Sequence, residues 1–156
     1  MISIDFRPIC EADIPFLTEL YISTRWEELQ PVPWTAEEKR HFLHWQFQAQ
    51  HAHYQKYFPN AQFYILTHQN EAIGRLYLDR RDDEIRIVDI ALVPQYRNQG
   101  IGSHLLQELM VDAKQNRLAI RIHVENNNPA MNLYRRLGFC KVHQDGIYWL
   151  MEWKDT

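Results

Sequence analysis

A short segment near the middle of the chain, residues 90–106, limits the possible folds more than any other. It begins with the apolar run Ile90-Ala-Leu-Val93, passes through a proline turn and two glycines, Gly100 and Gly102, and ends in a helical apolar pattern. A strand, a glycine loop and a helix in this order are typical of α/β proteins. Backbone N–H groups at such a helix start lack partners and can bind a phosphate or pyrophosphate.

Two common phosphate-binding loops do not fit this segment. A Rossmann loop requires a third glycine three residues after the second, where this chain has Leu105. A Walker A loop requires Gly-Lys-Ser/Thr, which the sequence lacks. The remaining pattern is Arg97-x-x-Gly100-x-Gly102 after a strand that ends in Val-Pro.

This pattern resembles motif A of the GNAT family of N-acetyltransferases, which binds acetyl-CoA. A later segment, Asn127-Asn-Pro-Ala-Met-Asn-Leu-Tyr134-Arg-Arg-Leu-Gly138-Phe139, resembles the second motif of the same family, in the same order. The resemblance is strong over residues 73–139 and thin in the first sixty residues. It implies transfer of an acetyl group from acetyl-CoA to an amine, in a complex that holds both reactants.

Hydrophobic periodicity and turn signals predict the element order βααβββαβαββ, which is also the order in the GNAT family. We therefore expect an α/β fold whose central sheet is mixed, mostly antiparallel and twisted, with about seven strands flanked by about four helices. The predicted strands are residues 1–7, 62–67, 72–79, 84–93, 118–124, 140–143 and 147–153, and the predicted helices are residues 11–23, 35–57, 100–115 and 129–137.

Length, charge and cysteine content limit the class of protein. The 156 residues fit one domain over residues 1–156, and a net charge of −3 gives no reason to expect nucleic acid or an anionic membrane as partner. No apolar run approaches the ~20 residues of a membrane span, and the N-terminus reads as a strand rather than a signal peptide. Cys10 and Cys140 form no disulfide framework, so a cytoplasmic location is the simplest expectation.

We expect backbone N–H groups of the glycine loop to hold the cofactor pyrophosphate, with Arg97 either adding a contact or remaining a solvated turn residue. The resemblance implies that the backbone of Leu92 and Val93 pairs with the pantetheine arm and offers an N–H to the thioester oxygen. Two asparagines fit the family's asparagine position; Asn128 is preferred because it directly precedes Pro-Ala, although turn chemistry would also explain it. The expected cofactor-binding residues are Leu92, Val93, Arg97, Asn98, Gln99, Gly100, Ile101, Gly102, Ser103, Asn127 and Asn128.

Tyr134 matches the general acid of the family. A phenol has an ordinary pKa near ~10, so at neutral pH it is protonated and can give its proton to the departing thiolate. Judged by its position alone, Tyr134 would more often be a packing residue on a short helix. The motif around it favours the catalytic role.

The general base has two main candidates, Asp89 and His123, on the strands that precede the two motifs. Asp89 lies between apolar residues, so it is either functional or paired with Arg86, Arg121 or His123. A histidine on a strand has a suitable ordinary pKa, near ~6.5, but is often a hydrogen-bonded core residue. Weaker candidates near strand ends are Glu84 and Glu125.

The acceptor site in this fold usually involves the first two helices and the loop between them. Arg25 beside Trp26 could bind a carboxylate or stack on a planar group, and Glu27 and Glu28 could attract a cationic amine. The alternative is an amphipathic helix with its charges in water. The aromatic second helix favours a closed pocket for a small molecule with a primary amine. The alternatives are a protein N-terminus or lysine, which needs an open groove, and a non-catalytic acyl-CoA-binding domain.

The second predicted helix also carries four histidines, of which His41 and His44 share a face. No cysteine or carboxylate completes a familiar zinc spacing, so we expect no metal. Aromatic residues on this helix, such as Trp45, favour either a cover over the sheet or the surface of a homodimer.

Overall fold

The computed structural model describes residues 2–155, which form one seven-stranded sheet and four α-helices. The predicted fold class and element order are confirmed. The strands are β1 (Asp5–Pro8), β2 (Gln62–His68), β3 (Glu71–Arg80), β4 (Glu84–Leu92), β5 (Ala119–Glu125), β6 (Cys140–Asp145) and β7 (Tyr148–Trp153), and the helices are α1 (Ile14–Arg25), α2 (Ala36–Tyr57), α3 (Ile101–Asn116) and α4 (Ala130–Arg136).

Several boundaries differ from the prediction for local reasons. A 3-10 turn over Glu11–Asp13 precedes α1, which therefore begins at Ile14. Helix α3 begins at Ile101 because Gly100 has a left-handed φ of 81° and lies outside the helix. The predicted first strand included Met1, which lies outside the described residues; β1 itself begins at Asp5.

The strands follow the order β1-β2-β3-β4-β5-β7-β6 across the sheet. All neighbouring strands are antiparallel except β4 and β5, which are parallel. Parallel neighbours require a long crossover, and α3 supplies it. The carboxyl ends of β4 and β5 therefore lie at the same edge of the sheet, so the two sequence motifs that follow these strands come together there.

Helices α1 and α2 cover one face of the sheet, and α3 and α4 cover the other. The alternation along β2 illustrates this division, because successive strand residues point to opposite faces. Ile65 packs with Leu17 of α1 and Phe47 of α2, whereas the next residue, Leu66, belongs to the core that includes Leu105 of α3. The sheet is therefore the middle layer between two hydrophobic cores.

Strand β4 changes its pairing near its middle. It pairs with β5 only up to Ile87, and beyond this point the two strands separate. The next residue, Val88, is the extra residue of a β-bulge, because Ile87 and Asp89 pair with the consecutive residues Leu78 and Tyr77 of β3. The bulge therefore lies at the start of the gap between β4 and β5.

The bulge decides which way Asp89 points. Ile85 and Ile87 are buried in the core on the α3 face, and strict alternation would place Asp89 on that face as well. The extra residue shifts the alternation by one. Asp89 consequently points to the α2 face, where it contacts Arg75 and Tyr54.

Candidate active site

The separated ends of β4 and β5 open into a cleft of about 1260 Å³. Its walls are the end of β4 with the start of α3, the segment 127–137 with α4, and the end of α1 with the turn that follows. This is the edge of the sheet at which α/β proteins commonly bind ligands. The predicted site residues that line the cleft are Arg25, Asp89, Leu92, Arg97, Asn98, Gly100, Ile101, Gly102, Ser103, Asn127, Asn128 and Tyr134.

The glycine loop brings the start of α3 to the cleft. Asn98 and Gly100 both have left-handed φ values, 60° and 81°, and α3 starts at the next residue. The first N–H groups of α3 therefore have no partners within the helix. Among the described residues, a Cβ built on Gly102 would meet only Leu133, at 3.9 Å, so space lies open at the helix start. A pyrophosphate fits this arrangement.

The backbone N–H groups of Leu92 and Val93 point in different directions. The Val93 N–H donates to the Ile73 carbonyl at 2.8 Å, so it is part of the pairing with β3. Hydrogen-bonded and non-hydrogen-bonded pairs alternate in antiparallel strands, so the Leu92 N–H and C=O point away from β3, towards the gap. Ile90, two residues earlier, has the same orientation. The backbone that can pair with a pantetheine arm is thus at Ile90 and Leu92, and Val93 is not suited to this contact.

Arg97 joins three parts of the site. Its Nε donates to the Leu92 carbonyl at 2.8 Å, and one of its terminal nitrogens donates to Ser23 Oγ of α1 at 2.9 Å. Burial lowers the pKa of the guanidinium. Arg97 is therefore neither a simple solvated residue nor mainly a phosphate ligand. Gln99 also has a local role, because its side chain donates to the Gln95 carbonyl at 2.6 Å.

The two asparagines before α4 differ in what their side chains do. Asn128 Oδ1 accepts from the Ala130 N–H at 2.9 Å, a local turn that starts α4. The Asn127 side chain is exposed, lines the cleft and makes no hydrogen bond with residues 2–155. The preference for Asn128 is therefore not supported by the geometry, and Asn127 is the better placed of the two for a ligand.

Tyr134 lies on α4 with its ring against Phe139, and 5% of it is exposed, at the cleft. Its Oη has no hydrogen-bond partner among the described residues. Burial raises the pKa of the phenol, and the negative charge of Asp89 raises it further. The group is therefore neutral over the physiological pH range and keeps its proton available for a ligand in the cleft.

The Asp89 side chain reaches the cleft from the α2 face of the sheet, and 18% of it is exposed. Its Oδ2 accepts from Arg75 at 2.5 Å and from Tyr54 Oη at 3.2 Å. No donor among residues 2–155 contacts Oδ1. The predicted structural partners Arg86, Arg121 and His123 were wrong, and the partner is Arg75. Arg86 is instead held by Glu84, and Arg121 by Glu84 and Glu152.

The structure does not bring His123 to the cleft. Its side chain is exposed near the carboxyl end of β5, and its neighbours include Arg86, Asp145 and His143. Burial and the charge of Arg86 lower the pKa of the imidazole. The predicted role as general base therefore finds no support in the position of His123, which is not among the residues that line the cleft.

The acceptor half of the cleft is charged. Arg25 at the end of α1 contacts Glu28 Oε1 at 3.0 Å and Glu125 Oε1 at 3.3 Å, so it bridges α1 and the end of β5. Its charge is thus already paired and is not free to bind a substrate carboxylate. Trp26 packs against the α1–α2 core and does not reach the cleft, which corrects its predicted role in substrate binding.

The aromatic residues of α2 do not close the cleft. Trp34 and Phe42 pack edge to face at 5.3 Å, and Trp45, next to Phe42, is 60% exposed on the outside of the helix. Of α2, only Gln50 lines the cleft. The expected closed aromatic cover is therefore absent from the described part of the chain, because Phe42 and Trp45 lie on the outer side of α2 and the inward-facing Phe47 is buried in the core with α1.

The sequence interpretation missed Arg75, Gln50 and Tyr54, which lie beneath Asp89. Arg75 donates to Gln50 at 2.9 Å and packs on the Tyr77 ring at 4.9 Å. A usable signal was present, because Arg75 stands within the apolar strand Ile73-Gly-Arg-Leu-Tyr77. A charged side chain there needs a buried partner of opposite charge.

Comparison with known proteins decides the family. The sequence matches the Acetyltransferase (GNAT) family over residues 20–139. The chain belongs to the GNAT family. The classification as an acyltransferase that was inferred from the two motifs is confirmed by this match.

The GNAT chain is similar to several characterised relatives. It is 44% identical to an N-alpha-acetyltransferase of Sulfurisphaera tokodaii over 59 residues, 36% of this chain and 35% of that protein. It is 27% identical to the [ribosomal protein bS18]-alanine N-acetyltransferase of Haemophilus influenzae over 107 residues, 68% of this chain and 71% of that protein. The chain thus spans about a third of the first of these relatives.

Solved structures support the fold. The PaiA N-acetyltransferase from Thermoplasma acidophilum, in complex with coenzyme A, superimposes with a TM-score of 0.71 at 20% identity, covering 99% of this GNAT chain and 100% of that chain. A GNAT acetyltransferase from Elizabethkingia anophelis with acetyl-CoA bound gives a TM-score of 0.61 at 20% identity and 97% coverage of both chains. The first of these structures contains coenzyme A and the second contains acetyl-CoA.

Two further features concern the described residues alone. No helix within residues 2–155 has the length and apolar character needed to cross a membrane. In the same part of the chain, no three His, Cys, Asp or Glu side chains are grouped closely enough to hold a metal ion.

Proposed function

We propose that this GNAT protein transfers the acetyl group of acetyl-CoA to the α-amine of a peptide or protein N-terminus. The observation that carries the proposal is one cleft that combines an open helix start, a neutral buried phenol and a carboxylate with one unpaired oxygen. These are the groups that acetyl transfer to an amine requires: an anion site, an acid and a proton acceptor.

Cofactor binding is assigned to backbone groups. The first N–H groups of α3, from Ile101 to Ser103, would hold the pyrophosphate of acetyl-CoA. The outward backbone of Ile90 and Leu92 would pair with the pantetheine, and Asn127 would bond one of its amides. The thioester would then lie at the gap between β4 and β5, with Tyr134 and Asp89 on different walls.

The reaction needs two protons to leave the acceptor nitrogen. The ammonium gives the first to Asp89 Oδ1 and from there to water, and the free amine attacks the thioester carbon. The C–S bond breaks as the tetrahedral intermediate collapses, and Tyr134 gives its proton to the sulfur. The second proton of the nitrogen, passed through water, restores the phenol. The products are an amide and free coenzyme A.

A protein α-amine is favoured as acceptor over the small molecule suggested by the sequence. The aromatic residues of α2 leave the cleft open, and Glu27, Glu28 and Glu125 line its acceptor half, which suits a cationic N-terminus. Relatives named for N-alpha-acetylation point the same way. The ion pair between Arg25 and Glu125 joins α1 to the end of β5 across this half of the cleft, and it favours the second candidate, a small primary amine.

The test is a thiol-release assay with acetyl-CoA and matched acceptors. Each peptide is offered with a free N-terminus and with the same N-terminus blocked, alongside a panel of small primary amines. Turnover confined to free N-termini, with mass spectrometry placing the acetyl group on the α-nitrogen, is the expected result. Turnover only with small amines would favour the second candidate, and acetylation of blocked peptides would indicate lysine.

A further inference from the structure

We propose that Arg75, which belongs to neither sequence motif, is a positioning residue that fixes the Asp89 carboxylate so that Oδ1 faces the acceptor amine. This inference rests on the proposed function. It explains why the apolar middle of β3 contains an arginine, of which 3% is exposed.

The two oxygens of the Asp89 carboxylate have different surroundings. Arg75 and Tyr54 both donate to Oδ2, from β3 and from α2. Arg75 is itself held by Gln50, at 2.9 Å, and by the Tyr77 ring. Two donors on one oxygen fix the rotation of the Asp89 side chain and leave Oδ1 as the atom that can meet a ligand.

The charge balance gives Arg75 a second task. Four acidic groups line the acceptor half of the cleft: Asp89, Glu27, Glu28 and Glu125. A buried cation directly behind Asp89 offsets part of the repulsion between these negative charges. Arg25 offsets the charges of Glu28 and Glu125 at the other end of the cleft.

A purely structural ion pair is the competing explanation, since a buried arginine needs a partner wherever it occurs. The two explanations differ in what happens to the dependence of turnover on pH. Loss of a structural pair lowers stability but leaves the ionisation that limits turnover where it was. Loss of a positioning residue moves that ionisation, because it changes the charge beside the proton acceptor.

Several other charged or titratable groups surround Asp89 and enter the interpretation of a pH profile. They come from every element around it: Arg75 and Tyr77 on β3, His51 and Tyr54 on α2, Tyr134 on α4, and Arg25 and Glu125 across the cleft. Of these, only His51 has its ordinary titration in the neutral range, and it makes no contact with Asp89.

The experiment compares Arg75→Met, Arg75→Lys and the control Arg80→Met, which removes a surface pair with Asp112 on the other face of the sheet. We expect Arg75→Met to lower kcat about 10-fold or more and to move the acidic limb of the kcat/KM profile up by about one pH unit, with the KM for acetyl-CoA within about twofold. Arg75→Lys should keep the limb near that of the wild type, and Arg80→Met should change neither.

A second variant keeps the test decisive if Arg75→Met fails to fold. Tyr54→Phe removes the other donor to Oδ2 without leaving a buried charge, and it should move the acidic limb in the same direction by a smaller amount. An active wild type with unmoved limbs in the folded variants would overturn the positioning role alone. A wild type that binds acetyl-CoA but releases no thiol with any amine would overturn the proposed function, and the positioning role with it.

Discussion

The charge of Asp89 on β4 raises the pKa of the Tyr134 phenol on α4, from the other side of one cleft. The two groups are therefore coupled through the space in which the proposed reaction occurs. Burial and this charge together keep the phenol protonated, as its proposed role as the acid requires.

Replacement of Tyr134 by phenylalanine tests its role as proton donor. The Tyr134 Oη has no hydrogen-bond partner among residues 2–155, so the free energy of unfolding of the Phe variant should lie within about 0.5 kcal/mol of the wild-type value. Its affinity for acetyl-CoA should be unchanged, whereas kcat should fall about 100-fold or more. Calorimetric titration and thiol release measure the two quantities. Full turnover in this variant would exclude Tyr134 from proton transfer.

Replacement of Gly102 by alanine should raise the stability of the fold but weaken the binding of acetyl-CoA. Alanine fits the helix there and meets only Leu133, so Gly102→Ala should gain about 0.4–1 kcal/mol in the free energy of unfolding. The added methyl group would occupy the open space at the helix start, and the Kd for acetyl-CoA should rise about 10-fold. Gly146→Ala is the control, since Gly146 has a φ of 63° in the turn between β6 and β7 and does not line the cleft. That variant should lose stability and bind normally.

Gly74 is the position at which β3 comes closest to the end of β4. A Cβ there would lie 2.4 Å from the Ala91 carbonyl oxygen and 2.9 Å from a Leu92 methyl group. Gly74→Ala should therefore lower the free energy of unfolding by about 1–3 kcal/mol, and the melting temperature by several degrees. A melting curve equal to that of the wild type would mean that β4 moves aside at no cost.

Tyr77 carries a hydroxyl group that is fully buried and has no hydrogen-bond partner among the described residues. Phenylalanine would keep the ring contacts with Phe63 and with the Arg75 guanidinium while removing an unsatisfied group. The free energy of unfolding of Tyr77→Phe, measured by chemical denaturation, should equal that of the wild type or exceed it by about 1 kcal/mol. A loss above 1 kcal/mol would show that the hydroxyl group has a partner in solution.

The ion pair between Arg7 and Asp13 should make stability depend on pH in the acid range. Two hydrogen bonds of 2.8 Å from the Arg7 guanidinium lower the pKa of Asp13 to about 2. An acid whose pKa falls on folding stabilises the fold above its unfolded pKa and loses this contribution as the pH falls through the folded value. We expect Asp13→Asn to cost about 1–2 kcal/mol at pH 7 and much less at pH 2, by denaturation at both.

Most of the predicted cofactor-binding residues line the cleft because local sequence determines their positions. A strand, two glycines and a helix start form one continuous segment, and the position of Tyr134 follows from a second segment. The start of α3 differs from the prediction because Gly100 has a left-handed backbone conformation. The loop and the helix start depend on residues that are neighbours along the chain, so a sequence pattern can predict them.

The acceptor half was predicted less well because it depends on contacts between distant segments. Arg75 meets Asp89 only through the pairing of β3 with β4, and Arg25 meets Glu125 across a hundred positions. The direction of Asp89 depends on an extra residue in β4 that no propensity indicates. Trp26 and the aromatic residues of α2 were misplaced because composition does not reveal which side of a helix faces the gap.

The extra residue Val88 divides β4 into two segments with different tolerances to change. Up to Ile87, substitutions are limited by the volume of the core, whereas from Asp89 onwards they are limited by the needs of a ligand. If Val88 were instead paired with Tyr77 as in a regular strand, every later residue of β4 would shift its pairing by one position. Asp89 would then enter the hydrophobic core on the α3 face, and Ile90 would face α2. The proposed activity of this protein thus depends on the pairing register of β4 as much as on the residues of this strand.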